Sequence, residues 1–133
     1  MSIVLSRKPI CLDNAASTPP DPRVIKVISE TMKLDANPSS FNDAGRQAKE
    51  ELEKSRVVIA RFLGAKPDEI IFTASGSESN NLTIFGLTRS FGKPAEIITS
   101  PVEHPSVLEP LKQLKKKGWK ITYVRVNKEG LVD

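Results

Sequence analysis

Apolar residues recur at helical spacing in four stretches of the chain, which cover residues 22–34, 44–62, 78–90 and 105–117. The first stretch begins with Asp21 as an N-cap and Pro22 at the first helical position, a pattern typical of a helix start. The second is the longest, presents one apolar face and has Gly64 as its C-terminal stop. Three short apolar runs, at residues 70–73, 96–100 and 120–126, predict strands.

From residue 70 onward the predicted order of elements is strand, helix, strand, helix, strand. Helices that cross between short apolar strands favour parallel pairing with right-handed connections. The sequence therefore predicts an α/β fold that contains a βαβαβ unit, preceded by an N-terminal arm and two helices.

A loop of small residues, Ser75, Gly76 and Ser77, joins the first predicted strand to a helix. Helix N-termini present unpaired N–H groups and the positive end of the helix dipole, so this loop is a candidate site for a phosphate. The same residues are also typical of an ordinary N-cap, and both interpretations stay open at this point. Ligands of parallel sheets bind beyond the carboxyl ends of the strands, which selects this loop and residues 101–104.

His104 closes the second of these segments and precedes Pro105 at a predicted helix start. A histidine in such a position either caps or packs against the helix, or contacts a ligand. Two candidate sites at one edge of the sheet strengthen the second interpretation, although the residues alone leave both open.

The composition of the chain argues against several classes of function. The net charge of +4 comes from well-distributed basic residues, apart from Lys115, Lys116 and Lys117, and no nucleic-acid motif accompanies them. One cysteine and one histidine exclude an internal disulfide, a multi-cysteine metal site and a His-rich metal site. Cys11 is expected to be a small buried hydrophobic residue. Without a long apolar run or a signal-peptide pattern, the expectation is a cytoplasmic protein with no membrane partner.

Five segments, in this order and spacing, resemble the N-terminal part of the pyridoxal-phosphate-dependent cysteine desulfurases. They are residues 12–19 (LDNAASTP), 37–40 (NPSS), 72–81 (FTASGSESNN), 103–104 (EH) and 118–123 (GWKITY). These enzymes belong to the class V aminotransferase group, with fold type I. The resemblance covers nearly all 133 residues.

The resemblance implies pyridoxal 5′-phosphate (PLP) as cofactor and assigns roles to individual residues. Backbone amides and a hydroxyl of Gly76, Ser77 and Glu78 would bind the cofactor phosphate. His104 would stack on the pyridine ring and assist proton transfers. Asn14 and Ala15 would line the substrate entrance. Residues 1–20 would then form an arm and entrance loop, and residues 21–133 an incomplete first part of the PLP-binding large domain.

Several residues depart from the pattern of the family. Ser77 stands where the family usually has Thr, which keeps a hydroxyl, and Asn80 stands where it usually has Asp, which removes a charge. In the early loop, Ala36 and Asn42 stand where the family often has a glycine and a histidine.

For a complete enzyme the resemblance implies conversion of L-cysteine to L-alanine in a homodimer. The sulfur would pass to a protein cysteine for iron–sulfur cluster or thio-cofactor assembly. The family's Schiff-base lysine and catalytic cysteine are expected beyond residue 133, so this chain alone is expected to be inactive. The alternatives are another class V enzyme, such as a selenocysteine lyase or a transaminase, and a non-catalytic module that binds an anion or another protein.

Overall fold

The computed structural model describes residues 12–132. These form two compact units, and the boundary between the units in the sequence lies between Ile70 and Ile71. Of the predicted arm and entrance loop at residues 1–20, residues 1–11 lie outside the described part, and with them the expected buried position of Cys11. None of the helices within residues 12–132 has the length and apolar character needed to cross a membrane.

The first unit contains two helices, α1 (Pro22–Thr31) and α2 (Asp43–Leu63), followed by a short 3₁₀ helix at Pro67–Glu69. The side chain of Asp21 caps α1 by accepting a hydrogen bond from the N–H of Arg23, as the sequence predicted. Gly64 ends α2 with a φ of 67°, a left-handed conformation that glycine adopts without steric cost. Helix α1 is shorter than predicted, because the chain leaves it through turns between Thr31 and Ala36.

A close approach fixes the loop between these helices. Within the loop, the N–H of Ser40 donates to the Asn37 carbonyl at 2.9 Å, and the N–H of Ser39 donates to the Asn37 side chain at 2.9 Å. Gly45, in the first turn of α2, is buried against this loop. A Cβ on Gly45 would lie 2.8 Å from the Asn37 carbonyl oxygen and in still closer contact with that of Ser40. The packing therefore requires a residue without a side chain.

The second unit contains helices α3 (Gly76–Ser90) and α4 (Pro105–Lys116) and strands β1 (Glu96–Thr99) and β2 (Lys120–Tyr123). The two strands pair in parallel, in a register that places Glu96 opposite Lys120 and Thr99 opposite Tyr123. Helix α4 forms the crossover between them and packs against α3. The buried core consists of Leu111, Leu114 and Trp119.

One predicted element is wrong: residues 70–73 are not a strand in the structure. A strand requires a neighbour for its backbone hydrogen bonds, and the sheet within residues 12–132 consists of β1 and β2. The carbonyl of Ile70 instead accepts a hydrogen bond from the guanidinium of Arg56. The α/β class is confirmed, with a βαβ unit in place of the predicted βαβαβ unit.

Candidate functional site

The start of α3 satisfies part of its own hydrogen-bonding capacity. Ser75 is the N-cap, and its hydroxyl accepts a hydrogen bond from the N–H of Glu78 at 3.2 Å. The carboxylate of Glu78 reaches back and accepts a hydrogen bond from the N–H of Ala74 at 2.7 Å. The hydroxyl of Thr73 contacts that of Ser79 at 2.6 Å and so ties the loop to the first turn of the helix. These bonds fix the shape of the loop.

Two donors at this helix start remain open. Within the described part of the chain, nothing accepts a hydrogen bond from the backbone N–H groups of Gly76 and Ser77, which are the first two residues of α3. Both residues are exposed, and a Cβ on Gly76 would meet no atom within 4 Å. Open N–H groups at the positive end of a 15-residue helix, with the Ser77 hydroxyl beside them, form a geometry suited to an anion.

His104 is the N-cap of α4. Its Nδ1 atom accepts a hydrogen bond from the N–H of Ser106 at 3.1 Å and lies 2.8 Å from the Ser106 hydroxyl oxygen. The capping interpretation that the sequence left open for this histidine is therefore correct. The residue is exposed, so a capping role does not prevent its ring from contacting a ligand.

A side-chain bond connects the two helix starts. The amide Nδ2 of Asn80, in the second turn of α3, donates a hydrogen bond to the Ser106 hydroxyl oxygen at 2.8 Å. The structure therefore places all four of the candidates Gly76, Ser77, Glu78 and His104 in one unit, at the starts of two packed helices.

Sequence reasoning did not single out Asn80 or Ser106 as members of this site. Ser106 follows the N-cap histidine by two positions, a spacing at which a side chain often bonds a backbone N–H. The contact between Asn80 and Ser106 spans 26 residues of sequence, and no local pattern predicts it.

The two remaining candidates, Asn14 and Ala15, lie in the first unit. They belong to an exposed turn, in which the N–H of Ala16 donates to the carbonyl of Asp13 at 3.3 Å. Their role at a substrate entrance stays a prediction. Within residues 12–132, no three His, Cys, Asp or Glu side chains are grouped so that they could hold a metal ion.

Residues 10–133 match the family model described as "Aminotransferase class-V". The chain belongs to the class-V aminotransferase family. This confirms the family that the five sequence segments predicted.

The relatives of this class-V aminotransferase chain include proteins named as cysteine desulfurases. It is 44% identical over 129 residues to cysteine desulfurase IscS of Dictyoglomus turgidum, an alignment that covers 96% of this chain and 33% of that protein. A solved structure described as a NifS-like protein superposes with a TM-score of 0.80 at 38% identity, covering 91% of this chain and 34% of the other. The structure of SspA in complex with cysteine superposes with a TM-score of 0.80 at 37% identity, and the match covers 91% of this chain and 35% of the SspA chain. The chain thus spans about a third of the length of these relatives.

Proposed function

We propose that this chain forms the N-terminal third of a PLP-dependent cysteine desulfurase, which converts L-cysteine to L-alanine and passes the sulfur to an acceptor protein. The observation that carries the proposal is the pair of open N–H groups on Gly76 and Ser77. These groups lie on the same helix that is linked through Asn80 and Ser106 to His104. The cysteine desulfurases among the relatives support the choice of substrate.

The residues at the start of α3 fit the phosphate of PLP. A phosphate carries up to two negative charges, and the helix N-terminus offers a positive potential, two unpaired backbone donors and the Ser77 hydroxyl. The Glu78 carboxylate would repel such an anion. It is held, however, by a hydrogen bond from the N–H of Ala74, the residue that precedes the loop. Glu78 would therefore contribute through the shape of the loop that its carboxylate stabilises, since its own N–H already donates to Ser75.

His104 would act through its second ring nitrogen. Nδ1 is engaged by Ser106, whereas nothing in the described residues bonds Nε2. This nitrogen could hold or move a proton beside the cofactor or the substrate. When bound, PLP supplies the electron sink for the bonds that change at the substrate, and the protein supplies orientation and proton transfer.

Other features of the complete enzyme follow from the family resemblance and stay predictions. They are the entrance role of Asn14 and Ala15, the division of the chain at residue 20, the homodimer and the cytoplasmic location. The lysine that binds the cofactor and the cysteine that takes up sulfur would come from other parts of the enzyme. Iron–sulfur cluster or thio-cofactor assembly would be the destination of the sulfur.

The test uses the whole protein that contains this chain, incubated with L-cysteine with and without added PLP. We expect PLP-dependent formation of alanine, measured by mass spectrometry, together with an equal amount of protein-bound or released sulfur. A His104→Gln variant should lower kcat about 100-fold, the lower range for loss of a general acid–base group. Turnover of selenocysteine or of an amino acid and keto acid pair, without alanine from cysteine, would assign the protein to another class V reaction.

A further inference from the structure

The hydrogen bonds around His104 determine which of its ring nitrogens carries the proton. The backbone N–H of Ser106 is a donor only, so the Nδ1 atom 3.1 Å from it must offer a lone pair. A nitrogen of a neutral imidazole that offers a lone pair carries no proton. The proton of the neutral ring therefore belongs to Nε2.

The same logic extends to the two side chains behind the ring. The Ser106 hydroxyl lies 2.8 Å from Nδ1 and has one proton, which it donates to that lone pair. Its oxygen is then free to accept, and the Asn80 amide Nδ2 donates to it at 2.8 Å. Every donor in the series Asn80, Ser106, His104 points towards the histidine.

We propose that Ser106 and Asn80 are positioning residues that hold His104 in the tautomer with its proton on Nε2. Two donors from Ser106 meet at Nδ1, and Asn80 keeps the hydroxyl of Ser106 turned towards the ring. Nε2 is then the one ring nitrogen of His104 that can exchange a proton with a ligand. The consequence for catalysis rests on the proposed function, whereas the tautomer itself is a property of this chain.

Asn80 sets the direction of the series because its amide is a donor. An aspartate at position 80 would present an acceptor to Ser106, and hydrogen bonds to a charged group are roughly twice as strong as neutral ones. The Ser106 proton would turn to the carboxylate and leave an oxygen lone pair facing Nδ1. The substitution Asn80→Asp should therefore weaken the preference for a proton on Nε2, although the backbone N–H of Ser106 still donates to Nδ1.

Because His104 is the one histidine in the 133 residues, and a His104→Gln variant identifies its ring signals in the whole protein that contains this chain, the tautomer can be measured directly. The experiment records long-range ¹H–¹⁵N correlation spectra of the ¹⁵N-labelled, cofactor-free whole protein at about pH 8.5, where an ordinary imidazole is neutral. For the wild type we expect Nδ1 to resonate as a lone-pair nitrogen and Nε2 as a protonated one. Asn80→Asp should shift Nδ1 towards the protonated position. In Ser106→Ala the ratio of Nε2–H to Nδ1–H should fall about five-fold, the loss expected for one neutral hydrogen bond.

Two variants serve as matched controls. Ser106→Thr keeps the hydroxyl and should retain the wild-type pattern. Asn81→Asp adds the same charge one position later on α3, where the native amide donates to the Ser77 carbonyl at 2.8 Å and not to Ser106, and should also retain it. Far-ultraviolet circular dichroism of the whole protein reports whether each variant is folded.

Two results would overturn the proposal: a wild-type spectrum with the proton on Nδ1, or folded Asn80→Asp and Ser106→Ala variants that both keep the wild-type pattern. If Asn80→Asp does not fold, Ser106→Ala decides alone, because it removes only one hydroxyl. The spectra need no cofactor, so a protein that fails to bind PLP can still confirm the tautomer. Conversely, the wrong tautomer would leave the cysteine assay as the test of the proposed function.

Discussion

The carboxylate of Glu78 accepts a hydrogen bond from the backbone N–H of Ala74, so it reaches back over the loop that precedes its own helix. A negative charge in the first turn of a helix is favourable, because it faces the positive end of the helix dipole. Ser75 and Glu78 together use the donors on either side of the loop, whereas those of Gly76 and Ser77 stay open. The loop is thus held in shape by the residues that flank the open donors.

Replacing Glu78 should separate its structural contribution from its charge. Glu78→Ala removes both the hydrogen bond to Ala74 and the interaction with the dipole of α3. It should lower the free energy of unfolding of the second unit by about 1 kcal/mol. Glu78→Gln keeps an acceptor and should recover about half of that loss. Urea unfolding followed by Trp119 fluorescence measures both values. Equal stabilities of wild type and Glu78→Ala would contradict the role assigned to the carboxylate.

A second prediction follows from the close approach of Gly45 to the loop at residues 37–40. A methyl group there would press on the carbonyl oxygens of Asn37 and Ser40, both of which belong to the backbone. Gly45→Ala should therefore destabilise the first unit by about 1–3 kcal/mol, the usual cost of overpacking.

Gly86 provides the matched control for this substitution. It lies inside α3, and a Cβ there would meet no atom within 4 Å. Gly86→Ala should stabilise the protein by about 0.5–1 kcal/mol, because alanine is the better helix former. Thermal unfolding followed by circular dichroism compares the two variants. Similar effects of both substitutions would show that the approach of Gly45 to the loop is not tight.

The strand pair should respond to acid through Glu96. The hydroxyl of Thr122, and then the ammonium group of Lys120 at 3.0 Å, lower the pKa of the Glu96 carboxyl below its ordinary value of 4.5. A carboxyl with a lowered pKa in the folded state contributes stability above its unfolded pKa and loses it as the pH falls through the folded value. The stability of the second unit should therefore fall as the pH drops below 4.5.

Glu96→Gln should flatten this part of the pH dependence, since an amide does not titrate there. Glu129→Gln removes a carboxyl from the turn after β2 and should leave the Glu96 contribution in place. Urea unfolding at a series of pH values measures the slope for each variant. A Glu96→Gln slope equal to that of the wild type would show that other groups cause the loss.

Local signals in the sequence predicted most of the helices. Asp21 and Gly64 act as caps through their own side chain and backbone conformation, so their neighbours along the chain suffice to identify them. The strand predicted at residues 70–73 is different, because a strand depends on a partner that composition does not reveal. The apolar residues there are compatible with a strand, but β1 pairs with β2.

In the candidate site, too, the local features could be predicted from the sequence and the long-range ones could not. Gly76, Ser77 and His104 could be selected from residue types and from the ends of predicted strands. The link from Asn80 to Ser106 joins residues on two helices, and only the packing of α3 on α4 brings these side chains within hydrogen-bond distance. The bond from the Ser106 N–H to His104 is local, whereas the support that we propose Asn80 gives to this arrangement depends on the long-range link, which no local sequence pattern predicts.

The central claim, that the start of α3 binds the phosphate of PLP, is tested most directly by comparing PLP with pyridoxal, which lacks the phosphate. Isothermal titration of the cofactor-free whole protein should show PLP binding at least 100-fold more tightly, because the two backbone N–H groups and the Ser77 hydroxyl would each contribute about 1.5–3 kcal/mol in a hydrogen bond to a charged group. Ser77→Ala should reduce this advantage about 10-fold. Ser90→Ala, at the other end of α3, where the hydroxyl donates to the Leu87 carbonyl, should retain it. Equal affinities of the wild type for PLP and pyridoxal would contradict the account.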